Sequence, residues 1–147
     1  MRVDISRVAG TEDIPLPAYQ TEGASGMDLL AAVTEPLILN PNERTAVPTG
    51  IMIAIPEGYE AQVRARSGWA KKFGICLTNG IGTIDVDFRG EVHVLLSNLG
   101  QEPFTIHRAD RIAQLVVTPV MRVQWNVVEE LPTTERGVGG FGHTGRQ

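Results

Sequence analysis

The chain has 147 residues, enough for one domain with a proper hydrophobic core. Its 13 Lys and Arg against 17 Asp and Glu leave a formal charge of −4, which gives no basic footprint for duplex nucleic acid, although local cations can still seat a small anion. No stretch approaches the roughly 20 apolar residues of a membrane span, the charged start MRVDISRV has no signal-peptide core, and the lone Cys76 can form no internal disulfide; a cytoplasmic, soluble protein without membrane association is expected.

In chain order, turn signals come at short intervals and the segments between them alternate. Asn40-Pro41-Asn42, Pro48-Thr49-Gly50 and Pro56-Glu57-Gly58 punctuate the first half. Residues 51–55 (IMIAI) are apolar on both faces, so they are expected between layers or against another subunit. Residues 60–66 (EAQVRAR) alternate small apolar with polar side chains, the pattern of a strand with one buried face. Residues 67–73 (SGWAKKF) are the one helical candidate, with Ser67 suited to cap it. Asn79-Gly80 predicts a tight hairpin. Residues 91–94 (EVHV) read as another one-faced strand, residues 115–117 (LVV) as a strand apolar on both sides, and residues 122–127 (RVQWNV) as a final alternating strand. Many short strands with such punctuation predict an all-β sandwich or barrel over residues 1–133. Residues 134–147 form a glycine-rich tail that can bury almost no core.

Three loops carry more chemistry than packing requires. Residues 64–72 (RARSGWAKK) join a strand to the helix. Free backbone N–H groups, the Ser67 hydroxyl and Arg66 converge there on a seat for phosphate, unless the segment is an ordinary capped turn with solvated cations. Residues 79–90 (NGIGTIDVDFRG) offer exposed backbone that can read the edge of a flat ligand. Asp85 and Asp87 lie two apart and would share a face if extended. Paired acids of this kind bind a cation, divide orientation from proton transfer, or simply flank a turn in solvent. The tail is either a disordered end or a strap that orders on a ligand. Arg136 near one end and Phe141 between Gly140 and Gly142 suit a ligand with phosphates at one end and a base at the other.

Taken with two further segments, these loops resemble the five ordered motifs of the trimeric dUTP pyrophosphatases. The five are residues 23–29 (GASGMDL), 66–70 (RSGWA), 82–91 (GTIDVDFRGE), 110–115 (DRIAQL) and 136–145 (RGVGGFGHTG), and the resemblance runs from about residue 15 to the last residue. It implies a jelly-roll β fold and a homotrimer whose three sites are each built from all three chains. The first, second and fourth motifs would come from one chain, the third from a neighbour, and the tail from the remaining one. The activity implied is hydrolysis of dUTP to dUMP and pyrophosphate by attack of water on the α-phosphorus, which limits uracil in DNA and supplies dUMP for thymidylate synthesis.

Carried over by the resemblance, Asp85 would be the general base. Asn79, Gly82 and Ile84 would recognise uracil, and Phe88 would pack on the deoxyribose. Arg66, Ser67 and Gly68 would hold the β-phosphate region, Gln114 would lie near the α- and β-phosphates, and Arg136 would meet the γ-phosphate. Phe141 and Gly142 would cover the uracil. Asp28 would support the site through a nearby arginine. A magnesium ion is expected on triphosphate oxygens and waters, with no direct protein ligand.

The chain departs from the family pattern at three places. Phe88 stands where tyrosine is usual, which keeps a flat wall against a 2′-hydroxyl and loses the phenol. Trp69 replaces a usual leucine and Phe73 a usual histidine; both read as packing changes, with Trp69 placed to alter subunit contacts. The dCTP deaminases share the implied fold but carry a second serine where Gly68 stands, use a glutamate and lack the tail motif. A nucleotide-sensing module with the same pocket and no turnover is the remaining alternative.

Overall fold

The computed structural model describes residues 1–141. In them the chain is all-β with one short helix, and every strand pairing is antiparallel. Strand β1 (Asp4–Arg7) pairs with β5 (Ile51–Ala54), and β3 (Leu37–Leu39) with β10 (Phe104–Ile106). A four-stranded sheet runs in the order β2 (Met27–Leu30), β11 (Arg111–Pro119), β6 (Tyr59–Arg64), β8 (Gly82–Ile84). A three-stranded sheet runs β4 (Arg44–Pro48), β9 (His93–Asn98), β7 (Ile75–Leu77). Among these strands, no two that are consecutive in the chain pair with each other.

That topology corrects the hairpin expected at Asn79-Gly80. The turn is present, with Gly80 at φ 71 and the Ile81 N–H donating to the Asn79 carbonyl at 2.8 Å. It joins strands of different sheets, however, because β7 pairs with β9 and β8 with β6. Asn-Gly fixes a local reversal of the chain and leaves the choice of partner for the next strand open.

Alternation supplies the core. Leu29, Leu39, Val47, Ile53, Val63, Ile75, Ile84, Val94, Leu96, Ile106 and Leu115 bury together in one cluster. In residues 51–55 the isoleucines are buried, while Met52 and Ala54 are half-buried. The same holds in the second half of β11, where Leu115 is buried and Val116 and Val117 are half-buried. Asn98 is fully buried, and hydrogen bonds offset the loss of its water: its amide donates to the Leu39 and Glu102 carbonyls, and its oxygen accepts from the Gly100 N–H.

Helix α1 spans Ser67–Phe73, but its N-cap is Arg66, in extended backbone and with no side-chain cap hydrogen bond. Ser67 is therefore already helical, and its hydroxyl does not close the first turn. Gly74 ends the helix at φ 70, returning its N–H to Ala70; a Cβ there would come within 2.6 Å of the Gly100 backbone nitrogen. Trp69 and Phe73 pack on Phe104 of the same chain, with ring centroids 4.8 and 5.1 Å apart.

After β11 the Val120 N–H donates to the Gly58 carbonyl at 2.9 Å. Residues 122–127 then form no strand, correcting the sequence expectation, and Trp125 is 89% exposed. The period of two is there, yet no strand among the described residues pairs with this segment to satisfy its backbone. At the other end of the chain, Arg108 donates to both Asp13 carboxylate oxygens (2.8 and 2.6 Å) and to the Gly10 carbonyl, tying the N-terminal loop to the body. No helix among the described residues is long and apolar enough to cross a membrane.

Candidate functional site

Strand β8 carries the centre of the site. Its register sets Gly82 against Val63 and Ile84 against Ala61 of β6. A Cβ on Gly82 would lie 3.1 Å from that of Val63 and 3.5 Å from the Asn79 side-chain nitrogen, so the missing side chain lets β8 and Asn79 close up together. Ile84 is buried and anchors the strand end; Asp85 follows it, exposed. The chain then turns, the Phe88 N–H donating to the Asp85 carbonyl at 3.2 Å. The segment is therefore not extended between Asp85 and Asp87, and the two-residue spacing does not by itself fix a shared face. Arg89 braces the turn by donating to the Val86 and Phe88 carbonyls, both at 2.7 Å.

These residues line a cleft of about 340 Å³. Asn79, Gly82, Ile84, Asp85 and Phe88 contribute to it, joined by Glu91 and His93. Among the described residues, no Arg or Lys lines it. Glu91 is held by the Gly50 N–H at 2.8 Å, and its other oxygen lies 3.9 Å from His93 Nε2. Asp85 also borders a second cleft of about 470 Å³, with Glu57, Glu60, Asp87 and Arg122. The Asp85 carboxylate thus stands on a wall between two openings, in acidic surroundings.

The cations gather elsewhere. Pairing of β2 with β11 sets Gln114 opposite Asp28, and pairing of β11 with β6 sets Gln114 opposite Arg64. Asp28 is buried, with Arg66 Nε at 3.7 Å from one oxygen and Arg111 Nε at 3.5 Å from the other. Arg66 also donates to the Arg111 carbonyl at 2.7 Å. A buried carboxylate so placed attracts two guanidinium groups to one surface, and the hydrogen bond to the Arg111 carbonyl orients Arg66. Ser67 and Gly68 open α1 beside Arg66 and are exposed, as is Gln114. A Cβ on Gly68 would meet nothing within 4 Å, so packing within the chain does not demand glycine there.

The tail residues Arg136 and Phe141 are exposed and belong to no strand; Arg136 Nε donates to the Gly139 carbonyl at 2.8 Å. Gly142 lies outside the described residues. The structure therefore brings Asn79, Gly82, Ile84, Asp85 and Phe88 into one cleft and Asp28, Arg66 and Gln114 into a second neighbourhood. It joins neither group to Arg136 or Phe141. Sequence reasoning gave no site role to Glu91, His93 or Arg111. The alternation of residues 91–94 carries a signal for the first two, since it sets Glu91 and His93 on one face. Among the described residues, no three His, Cys, Asp or Glu side chains gather to hold a metal ion.

Residues 12–145 match the dUTPase family. The chain is 51% identical over 145 residues, covering 99% of both chains, to a deoxyuridine 5′-triphosphate nucleotidohydrolase of Anaplasma marginale. It is 56% identical over 135 residues to the protein so named from Desulfotalea psychrophila, covering 92% of this chain and 90% of that one. In three dimensions it is similar to a Staphylococcus bacteriophage 80alpha dUTPase bearing a G164S substitution and holding dUpNHpp, with a TM-score of 0.87, 23% identity and 98% of each chain covered.

Proposed function

The chain belongs to the dUTPase family, and we propose how its residues share out the family reaction. It is a dUTP diphosphatase: water attacks the α-phosphorus of dUTP, and dUMP and pyrophosphate leave. The reaction limits uracil in DNA and supplies dUMP for thymidylate synthesis.

In our reading Asp85 is the general base. Asn79, Gly82 and Ile84 recognise the uracil, refusing cytosine because its amino group puts a donor where uracil has an acceptor. The Phe88 ring bounds the deoxyribose. Arg66, Ser67 and Gly68 hold the β-phosphate region with Gln114 close by, Asp28 sets the direction of Arg66, Arg136 meets the γ-phosphate, and Phe141 with Gly142 covers the base.

One observation carries this assignment: among the described residues, the cleft that Asp85 shares with Asn79 and Phe88 has no lining Arg or Lys, and the second opening beside Asp85 sets Arg122 alone against Glu57, Glu60 and Asp87. A triphosphate is strongly anionic, and an acidic cleft without such cations would repel it. The charges it needs must come from another surface, and the Arg66–Asp28–Arg111 cluster is such a surface. This supports a jelly-roll homotrimer in which one chain lends Asp85, another the cation cluster, and residues 134–147 of a third close the site over dUTP, as a tail distinct from the domain of residues 1–133. The exposed Val123, Trp125 and Val127 favour the same assembly, since a lone chain leaves all three in water.

Magnesium fits this donor set. It dehydrates reluctantly and is usually held by substrate phosphates with one or two carboxylates at most, so a site with no cluster of protein ligands among the described residues suits it. Bound on the triphosphate oxygens and waters, it would neutralise phosphate charge. A cytoplasmic setting accords with the nucleotide substrate.

The test is pyrophosphate release from dUTP, dTTP, dCTP and UTP, with and without magnesium. Release confined to dUTP and stimulated by magnesium is expected. Ammonia from dCTP, or tight dUTP binding without pyrophosphate, would overturn the reading.

A further inference from the structure

Gly90 is exposed, and its position has no role in the assignment above. A Cβ built on it would lie 2.8 Å from Phe88 Cζ, 3.1 Å from Cε2 and 3.7 Å from Cε1. The tip of the Phe88 ring therefore lies down over the Gly90 backbone, in the space a side chain would fill. Arg89, between the two, donates to the Val86 and Phe88 carbonyls and fixes the turn. If that space were filled, the braced backbone would resist and the ring would yield, because rotation about the side-chain bonds is the softer motion. Phe88 lines the Asp85 cleft, so a displaced ring changes the wall that the sugar meets.

We propose that Gly90 is a positioning residue for sugar selectivity: its missing side chain seats the Phe88 ring at the angle that excludes a 2′-hydroxyl. The proposal rests on the reading of Phe88 as the deoxyribose wall. Gly90 touches no reacting atom and acts through the ring alone. Replacement by alanine lifts the ring from its seat and opens the sugar space to a 2′-hydroxyl, while Asp85 stays in place.

The experiment compares kcat and KM for dUTP and UTP in the full-length wild type, Gly90→Ala, Phe88→Ala and the double variant. The ratio of kcat/KM for dUTP over UTP should fall about tenfold or more in Gly90→Ala, carried mainly by KM. Phe88→Ala should lose at least as much, and adding Gly90→Ala to it should cost nothing further, because the atoms that clash are gone. If Gly90→Ala keeps wild-type selectivity while Phe88→Ala loses it, the role of Gly90 is overturned and that of Phe88 stands. If Phe88→Ala keeps full selectivity, the sugar-wall reading falls and the proposal with it. Should Gly90→Ala fail to fold, the double variant decides. A folded double variant with the selectivity of Phe88→Ala supports the ring clash, and an unfolded one shows that the backbone, not the ring, requires glycine.

Discussion

Asp85 owes its position to its neighbour. Ile84 is pinned in the core, so the next residue leaves the sheet with its carboxylate exposed and its backbone tied into the turn by Phe88. If Asp85 is the base, its role should be separable from binding. Asp85→Asn is expected to lower kcat by about 10²–10⁴ while the dUTP affinity, measured by calorimetry, changes little. Near-normal turnover would remove Asp85 from the role. Asp13 gives a test of a different kind. The Arg108 guanidinium bonded to it holds its carboxyl below the usual aspartate range. A depressed folded value contributes stability above the unfolded pKa and loses it as pH falls through the folded one. Urea midpoints should therefore drop as pH falls below about 4, and Asp13→Asn should remove part of that dependence. The effect is small because the pair is open to solvent. An unchanged acid limb in the variant would show that other carboxylates carry it.

At the scale of elements, α1 is held at its end more firmly than at its start. No side chain caps its first turn, whereas Gly74 takes a left-handed conformation against the Gly100 backbone. Gly74→Ala combines positive-φ strain with a clash against main chain that cannot swing away. A loss of about 1–3 kcal/mol or more in urea unfolding is expected, and an unchanged midpoint would show the backbone more yielding than this. The same element shows what the sequence made legible. The helix limits and the buried Ala61 and Val63 of β6 come from local pattern, which one segment carries alone, although the strand ends at Arg64 and leaves Ala65 exposed. The Asn79-Gly80 hairpin and the strand at residues 122–127 do not, because strand identity there depends on a partner that is remote in the chain or, among the described residues, missing. Of the candidate site, the sequence singled out Asn79, Gly82, Ile84, Asp85 and Phe88, which the fold gathers in one cleft, but the cation-free lining of that cleft and the Gly90–Phe88 contact depend on inter-strand register and ring orientation that no spacing encodes.

At the scale of the whole molecule, the acid and the cations lie in separate neighbourhoods of one chain, and this makes shared sites testable by mixing. Under the proposed assignment Asp85→Asn lacks the base and Arg66→Ala lacks a phosphate contact, so each variant alone should be nearly inactive. If a site takes Asp85 from one chain and Arg66 from another, some sites in mixed trimers draw both good residues. Equal mixing after reversible dissociation should then restore activity at about a quarter of the sites, since each of the two contributing chains must be the right variant and each has even odds. A site confined to one chain predicts no recovery at any ratio. Failure of the chains to exchange would mimic that result, so exchange is followed separately by mass spectrometry of one isotope-labelled variant. Trp125→Asp sets the companion limit. Trp125 is 89% exposed in the single chain, and a charge there costs the isolated fold almost nothing. If Trp125 packs against a neighbour, sedimentation should show the variant dissociating at concentrations where the wild type remains assembled, with turnover lost in proportion. A dissociated variant that still hydrolyses dUTP at the wild-type rate would return every catalytic group to one chain, and the acidic lining of the Asp85 cleft would then have to hold a triphosphate without any cation from another copy.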